Sequence, residues 1–333
     1  MSLESELSWA VDGIRMYGTL SRPDGDGPFP AVVLVAGSGP TDRDWNSPLL
    51  SGANGSGRLL AQALATAGFV CLRYDKRASG PHVMENLPAM LGHISMQSHL
   101  DELTAAVTEL AGFEFVDPQR IVGLGNSEGC LHVLHYATGT PELPLAAVVL
   151  SSPPGRTVSD LLLSQLKVQL AQLPDGDALF PLVVEAAARY SSGQPMDPDP
   201  RLPENIRMIL SSFETPANLP FARELWNEDA TDCLPKVRVP ALVVIGEHDL
   251  QVDARTDGPQ LEAAAQGLAD VTFAYPPAAN HVLKHEERSP AEVAASGDLR
   301  YSEPDTDLDP EAVETILSWL VDRAWPNGPQ PSR

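Results

Sequence analysis

Six short apolar runs, "FPAVVLVAG", "GFVCLRYD", "RIVGLGN", "LAAVVLSS", "PALVVIGEHD" and "DVTFAYPP", recur along the chain. Each is about as long as a β-strand and lacks the in-out alternation of a half-exposed one, so each is expected to be buried on both faces. Helical patterns lie between several of them. "GRLLAQALATAG" is one. "HLDELTAAVTEL" is clearer, with Leu100, Leu103, Val107 and Leu110 at i, i+3, i+7 and i+10 on one apolar stripe. Strand then helix, repeated, implies right-handed crossovers and a mostly parallel sheet covered on both sides. The pattern predicts an α/β fold.

The two ends and the middle depart from this rhythm. "LSWAVDGIRMYGTLSRP" is strand-like on both sides of Asp12-Gly13, a dipeptide suited to a tight turn, and predicts an antiparallel hairpin at one edge of the sheet. From about Pro154 to Pro235 the strands stop. "VSDLLLSQLKVQLAQL" places Val158, Leu162, Leu166 and Leu170 four apart; "ALFPLVVEAAARY" and "ENIRMILSSF" are helical too, with proline-rich breaks between. The expected organisation is a core of residues 1–153 and 236–326, with residues 154–235 packed over one end of the sheet as a helical cap. The chain closes on "DPEAVETILSWL", where Asp309 can cap a helix, Pro310 suits its first position, and Val313, Ile316, Leu317 and Leu320 form its stripe. Residues 327–333 are expected to be a mobile tail. A length of 333 residues suits one domain with an insertion.

Charge and cysteine content narrow the functional classes. A formal net charge of −23 argues against nucleic acid or an anionic membrane as partner, because both need a basic surface. The start, "MSLESELSWAV", lacks the basic and apolar regions of a signal peptide, and no run of eighteen apolar residues suggests a membrane span. Cys71, Cys130 and Cys233 have no metal-like spacing, and the cytoplasm is the expected compartment.

The stretch most suggestive of chemistry is "GLGNSEGC", Gly123 to Cys130, with Ser127 between Gly125 and Gly129. Gly-x-Ser-x-Gly arises by chance in roughly one chain in ten of this length. This copy falls where an apolar strand ends and a helix begins, the context in which a sharp turn lifts a serine hydroxyl clear of a sheet. Such a serine needs a base, and the base an orienting acid, in the chain order Ser, Asp or Glu, His. Of eight histidines, only His281 and His285 lie beyond the candidate acid. His281 follows the last strand in "YPPAANH"; His285 sits in the charged run "KHEER". Asp249, ending "ALVVIGEHD", is favoured as acid over Glu247 and Asp253, because the turn at Gly246 frees the residues after it to point across the sheet edge. An oxyanion hole would take one N–H from Glu128 and another from "VLVAGSGPTDRD", where Gly37 and Gly39 flank Ser38.

Taken together, "AVVLVAGSGPTDRD", "CLRYDKRASG", "DPQRIVGLGNSEG", "VPALVVIGEHD" and "PPAANHVLKH" resemble the α/β-hydrolase superfamily of serine hydrolases, and within it the capped bacterial carboxylesterases and serine aminopeptidase-like hydrolases. The resemblance implies a sheet of about eight strands with a helical cap after the sixth. It implies Ser127 as nucleophile, Asp249 as acid, His281 as base and the N–H groups of Ser38 and Glu128 as oxyanion hole, with no cofactor or metal. Asp75 and Arg77 in "YDKR" resemble the family's structural ion pair near the site, and Arg43 and Asp44 its brace for the oxyanion loop. Asn126 and Cys130 stand where the family often has histidine and glycine, and "ASGPH" comes after "YDKR" where it usually has "GxGxS". The implied reaction is hydrolysis of a small-molecule carboxylic ester through an acyl-enzyme. Thioester or peptide hydrolysis, acyl transfer and C–C bond cleavage on the same residues stay open, as does a non-catalytic binding scaffold.

Overall fold

A computed structural model of the chain describes residues 3–48, 52–296, 299–303 and 306–324. The tail expected at residues 327–333 lies outside them. In chain order the strands are β1 (Leu3–Val11), β2 (Ile14–Arg22), β3 (Phe29–Val35), β4 (Val70–Tyr74), β5 (Val116–Asn126), β6 (Ala147–Ser151), β7 (Ala241–Val244) and β8 (Val271–Ala274). They form a single sheet of eight strands in the order β1-β2-β4-β3-β5-β6-β7-β8. From β3 onward all strands are parallel, while β2 runs antiparallel to both its neighbours. The hairpin expected at the edge is β1–β2. Asp12 and Gly13 both take positive φ (48° and 80°), the handedness that matches the twist of the flanking strands.

All six apolar runs are strands, and β3 shows why they do not alternate. Ala31, Val33 and Val35 enter one hydrophobic cluster while Val32 and Leu34 enter another on the opposite face. Helices α1 (Ser56–Thr66) and α11 (Pro310–Ala324) cover the face of Val32, burying Leu60, Leu64, Ile316 and Leu320. Helices α3 (Met96–Ala111) and α4 (Glu128–Thr138) cover the other, burying Leu103, Val107, Leu110, Leu131 and Leu134. Asp309 caps α11 as expected, its Oδ1 accepting the Ala312 N–H at 2.9 Å. A short helix α2 (Val83–Met90), interrupted by Pro88, comes after β4 and was not legible in the hydrophobic pattern.

Between β6 and β7 the chain is helical: α5 (Val158–Leu170), α6 (Gly176–Ser191), α7 (Glu204–Ser212) and α8 (Phe221–Leu225). Their inner sides form a third cluster that includes Leu166, Leu170, Val183, Tyr190, Ile206, Leu210 and Trp226. On α5 the four-residue spacing only partly marks the buried side. Leu166 and Leu170 are fully covered, but Val158 and Leu162 are half-buried and Leu161 takes the inner position. A helix of 3.6 residues per turn carries a four-residue series around its axis, so the expected stripe drifts off the core. Helices α9 (Asp257–Ala264) and α10 (Pro290–Ser296) complete the described α-helices, and short 3-10 turns lie at Pro216–Asn218 and Leu234–Lys236.

Candidate active site

The C-terminal ends of β3, β5, β7 and β8 meet at one rim of the sheet, where parallel α/β folds place their ligands. Ser127 sits between the last residue of β5 and the first of α4, with φ 54° and ψ −123°. A side chain rarely adopts that conformation, and holding it costs about 1–3 kcal/mol. The flanking glycines are required by space. A Cβ on Gly125 would meet the Cys130 nitrogen and Gly129 carbonyl carbon at 2.5 Å, and one on Gly129 would meet the Val35 carbonyl oxygen at 2.4 Å. The elbow is pinned by the Ser127 N–H to the Ser151 carbonyl (2.8 Å) and the Cys130 N–H to the Ser127 carbonyl (2.9 Å).

Asp249 and His281 come together as well. The Asp249 carboxylate accepts the N–H groups of Gln251 (2.8 Å) and Val252 (3.0 Å) on Oδ1, and His281 Nδ1–H donates to Oδ2 at 2.8 Å. A carboxylate only accepts, so Nδ1 carries a proton toward Asp249, and the neutral form of the ring presents its lone pair on Nε2. Gly246 makes this meeting possible, because a Cβ there would lie 1.9 Å from the Ala279 carbonyl oxygen. The turn after β7 thus lies against the loop after β8, with the Glu247 N–H on the Pro276 carbonyl and the His248 N–H on that of Ala279. Among the described residues neither Glu247 nor Asp253 hydrogen-bonds the His281 ring, and His285 instead pairs with Asp309 at 2.7 Å, half exposed.

Ser127 and His281 line one cavity of about 170 Å³, together with Gly37, Ser38, Trp45 and Tyr301. Among the described residues no hydrogen bond joins the Ser127 hydroxyl to the ring. Gly37 packs against Ser127, where a Cβ would approach the serine Cβ to 3.3 Å, and Gly39 has the positive φ (75°) its loop needs. The N–H groups of Ser38 and Glu128 have no acceptor among the described residues. Asn126 was noted in the sequence only as a departure from a family pattern. Its amide donates to the His281 carbonyl at 3.0 Å, tying the serine turn to the histidine loop. Cys130, the other departure, is fully buried, and burial pushes its thiol well up.

The expected Asp75–Arg77 ion pair does not form. Asp75 takes Arg43 instead, through the Arg43 N–H (2.8 Å), Nε (3.0 Å) and Nη2 (2.7 Å), while Arg77 reaches Glu102 and the Ser98 carbonyl on α3. The chain turns after Lys76, so the two side chains leave in different directions and each meets a nearer opposite group. Asp44 pairs with Arg73 at 2.7 Å, so Arg43 and Asp44 both tie the loop after β3 to the end of β4. A second buried set lies behind the serine turn. Lys76 Nζ reaches Glu128 Oε1 (2.7 Å), Glu128 reaches His132 (3.2 Å), and His132 lies beside His99, which pairs with Glu102 (3.0 Å). Burial alone would raise Glu128, but the Lys76 ammonium and the His132 hydrogen bond carry it well below the usual carboxylate range. Burial lowers His132 to about 4 against that same hydrogen bond, leaving the ring neutral.

A larger cleft of about 570 Å³ adjoins the cavity, lined by Gln165, Val168 and Gln169 of α5, by Asn205 of α7 and by Val293 and Ala294 of α10. Gln251 and Tyr301 line both spaces and are joined by a hydrogen bond from Gln251 Nε2 to Tyr301 Oη (3.0 Å). Neither was singled out by sequence, because no motif marks them. Among the described residues no group of three or more His, Cys, Asp or Glu is placed to hold a metal ion, and no helix is long and apolar enough to cross a membrane.

Comparison with known proteins adds to this geometry. The profile of a family described as "Alpha/beta hydrolase family" matches residues 32–296. Esterase EstD of Thermotoga maritima is 25% identical over 323 residues, covering 95% of this chain and 67% of that protein. Among solved structures, a proline iminopeptidase of Mycobacterium smegmatis superposes with a TM-score of 0.57 at 16% identity, over 97% of this chain and all of that one. An esterase of Pyrococcus furiosus does so at 0.54 and 15%, over 97% and 92%. At these identities the solved structures share the fold.

Proposed function

The chain belongs to the alpha/beta hydrolase family and is a hydrolase, and from that premise we propose that it is a serine carboxylesterase acting on a small-molecule ester. The observation that carries the reading is one arrangement: a strained serine at a strand-to-helix turn shares a cavity with a histidine whose far nitrogen is held by a buried carboxylate. In this reading His281 Nε2 takes the proton of Ser127 as the hydroxyl attacks the ester carbon. The N–H groups of Ser38 and Glu128 hold the oxyanion, the first aided by the close approach that Gly37 and Gly39 permit. His281 then gives its proton to the departing alkoxide, the acyl group stays on Ser127, and a water activated by the same ring releases the acid. Asp249 keeps the imidazole in the required tautomer and stabilises its protonated form.

The ester reading is further supported by the adjoining cleft, whose described lining is amide, aliphatic and phenolic with no carboxylate to bind a substrate amine. Residues 154–235 serve in this reading as a cap that shapes the cleft, over a core of residues 1–153 and 236–326. The esterase name of the Thermotoga relative points the same way. Three buried, unpaired cysteines fit a reducing compartment such as the cytoplasm. The test is a panel of p-nitrophenyl esters of increasing acyl length, beside thioester and peptide substrates, with wild type and Ser127→Ala. The variant should fold normally and lose nearly all turnover, keeping only about 10³–10⁴ over water. A fluorophosphonate probe should label wild type alone. Wild-type turnover in Ser127→Ala would refute the assignment.

A further inference from the structure

Buried behind the serine turn is a lysine that the reaction as written does not use. Lys76, 4% exposed, comes just after β4 at the register position beside Gly37, since Leu34 of β3 pairs with Arg73. Its ammonium donates to the Gly37 carbonyl at 2.7 Å and to Glu128 Oε1 at 2.7 Å. One cation therefore grips the peptide preceding the Ser38 nitrogen and the side chain of the residue next after Ser127. In a planar trans peptide the carbonyl and the next N–H point to opposite sides. Holding the Gly37 oxygen on Lys76 consequently turns the Ser38 N–H away from it, and Gly37 lies against Ser127. A buried ion pair gives little net stability compared with apolar groups of the same shape, so what this one supplies is geometry.

We propose that Lys76 is the positioning residue of the oxyanion hole: its ammonium fixes the Gly37–Ser38 peptide and ties it to the first residue of α4, so that the two N–H groups converge on one point. This rests on the reading of Ser127 as nucleophile and deepens it. Lys76 touches neither substrate nor reacting atoms. The neighbours of the pair are accounted for: His132 bonds to Glu128, His99 lies against His132 and bonds to Glu102, and Phe221 of α8 packs on both rings at 4.7 and 6.0 Å.

The experiment compares two neutral pairs, so that neither strands a buried charge. Lys76→Met with Glu128→Gln removes the donor to the Gly37 carbonyl; Lys76→Gln with Glu128→Gln keeps an N–H donor. With p-nitrophenyl esters the first pair should lose about 10–100-fold in kcat with KM within about threefold, since a peptide displaced by an ångström costs on that order. The second should recover part of the loss. The Kd of an alkyl boronic acid, whose tetrahedral adduct loads the hole, should weaken in step with kcat. Wild-type kcat in the methionine pair, or equal loss in both pairs, would overturn the proposal. Should the methionine pair not fold, Lys76→Leu with Glu128→Gln takes its place as the donor-free pair, read against the glutamine pair with the same outcomes deciding. Esterase activity abolished by Ser127→Ala is the separate control, and its failure would sink the functional reading rather than the role of Lys76.

Discussion

Replacing Gly246 by alanine should disable the site while adding a single methyl group. That methyl would stand 1.9 Å from the Ala279 carbonyl oxygen and 2.5 Å from its carbon, both backbone atoms that no rotamer change can move. Reaching ordinary contact, about 3.4 Å, drives the turn after β7 and the loop after β8 apart by about 1.5 Å. The hydrogen bonds from Glu247 and His248 to that loop open, and the 2.8 Å contact between His281 and Asp249 stretches past bonding range. An imidazole without its orienting carboxylate loses up to about 10⁴ in kcat, and a misplacement near an ångström about 10². The expected fall in ester turnover lies between those figures. Overpacking should cost about 1–3 kcal/mol of stability, a fall in Tm of roughly 2–10 °C. Gly13→Ala is the control. There φ is 80° and nothing lies within 4 Å, so the change should cost about 1–2 kcal/mol of left-handed strain and leave kcat alone. Turnover within threefold of wild type in Gly246→Ala, with an unshifted Tm, would refute the reasoning.

Gly125→Ala should likewise lose about 10²-fold in kcat, because its Cβ meets backbone of the serine turn at 2.5 Å; a variant as active as wild type would contradict the elbow geometry. His132 is held neutral with its pKa lowered to about 4 against an ordinary 6.5, so between those values the unfolded chain binds more protons than the folded one. That stabilisation is complete above about pH 6.5 and declines as pH falls toward 4. His132→Gln should therefore flatten the fall of Tm over that window, and parallel Tm curves would rule this linkage out. The three buried thiols should leave Ellman's reagent unreacted in the native protein and react only in denaturant. A thiol that reacts rapidly in native buffer would show the packing to be looser than described.

The parallel sheet was legible because burial on both faces leaves its strands uniformly apolar, and β3 divides its residues between two clusters as that pattern requires. The serine turn was legible because space around Gly125 and Gly129 admits no side chain, a constraint that shows in the letters themselves. The sequence preferred Asp249 to Glu247 on the strength of the Gly246 turn, and it is the Asp249 carboxylate that meets His281 Nδ1. Partner choice among charges was not legible. Asp75 and Arg77 stand two apart in sequence, yet their partners are Arg43 and Glu102, 32 and 25 residues away. Tyr301 and Gln251 were invisible for the same reason, since they reach the cavity from segments with no periodic signal. Local pattern reports burial; it does not report which distant group a polar side chain will meet.

The cluster of α5 to α8 shares no residue with the two that sandwich the sheet, and only a few side chains, Leu161 and Leu225 among them, belong to the sheet-side packing instead. Substitutions in separate packing units combine almost additively. Leu179, Val183, Ile206 and Leu210 can therefore be varied as a set to repack the inserted helices, while the scaffold that bends the chain at Ser127 keeps its own source of stability. The unit to randomise and the unit to leave alone are drawn by the molecule itself.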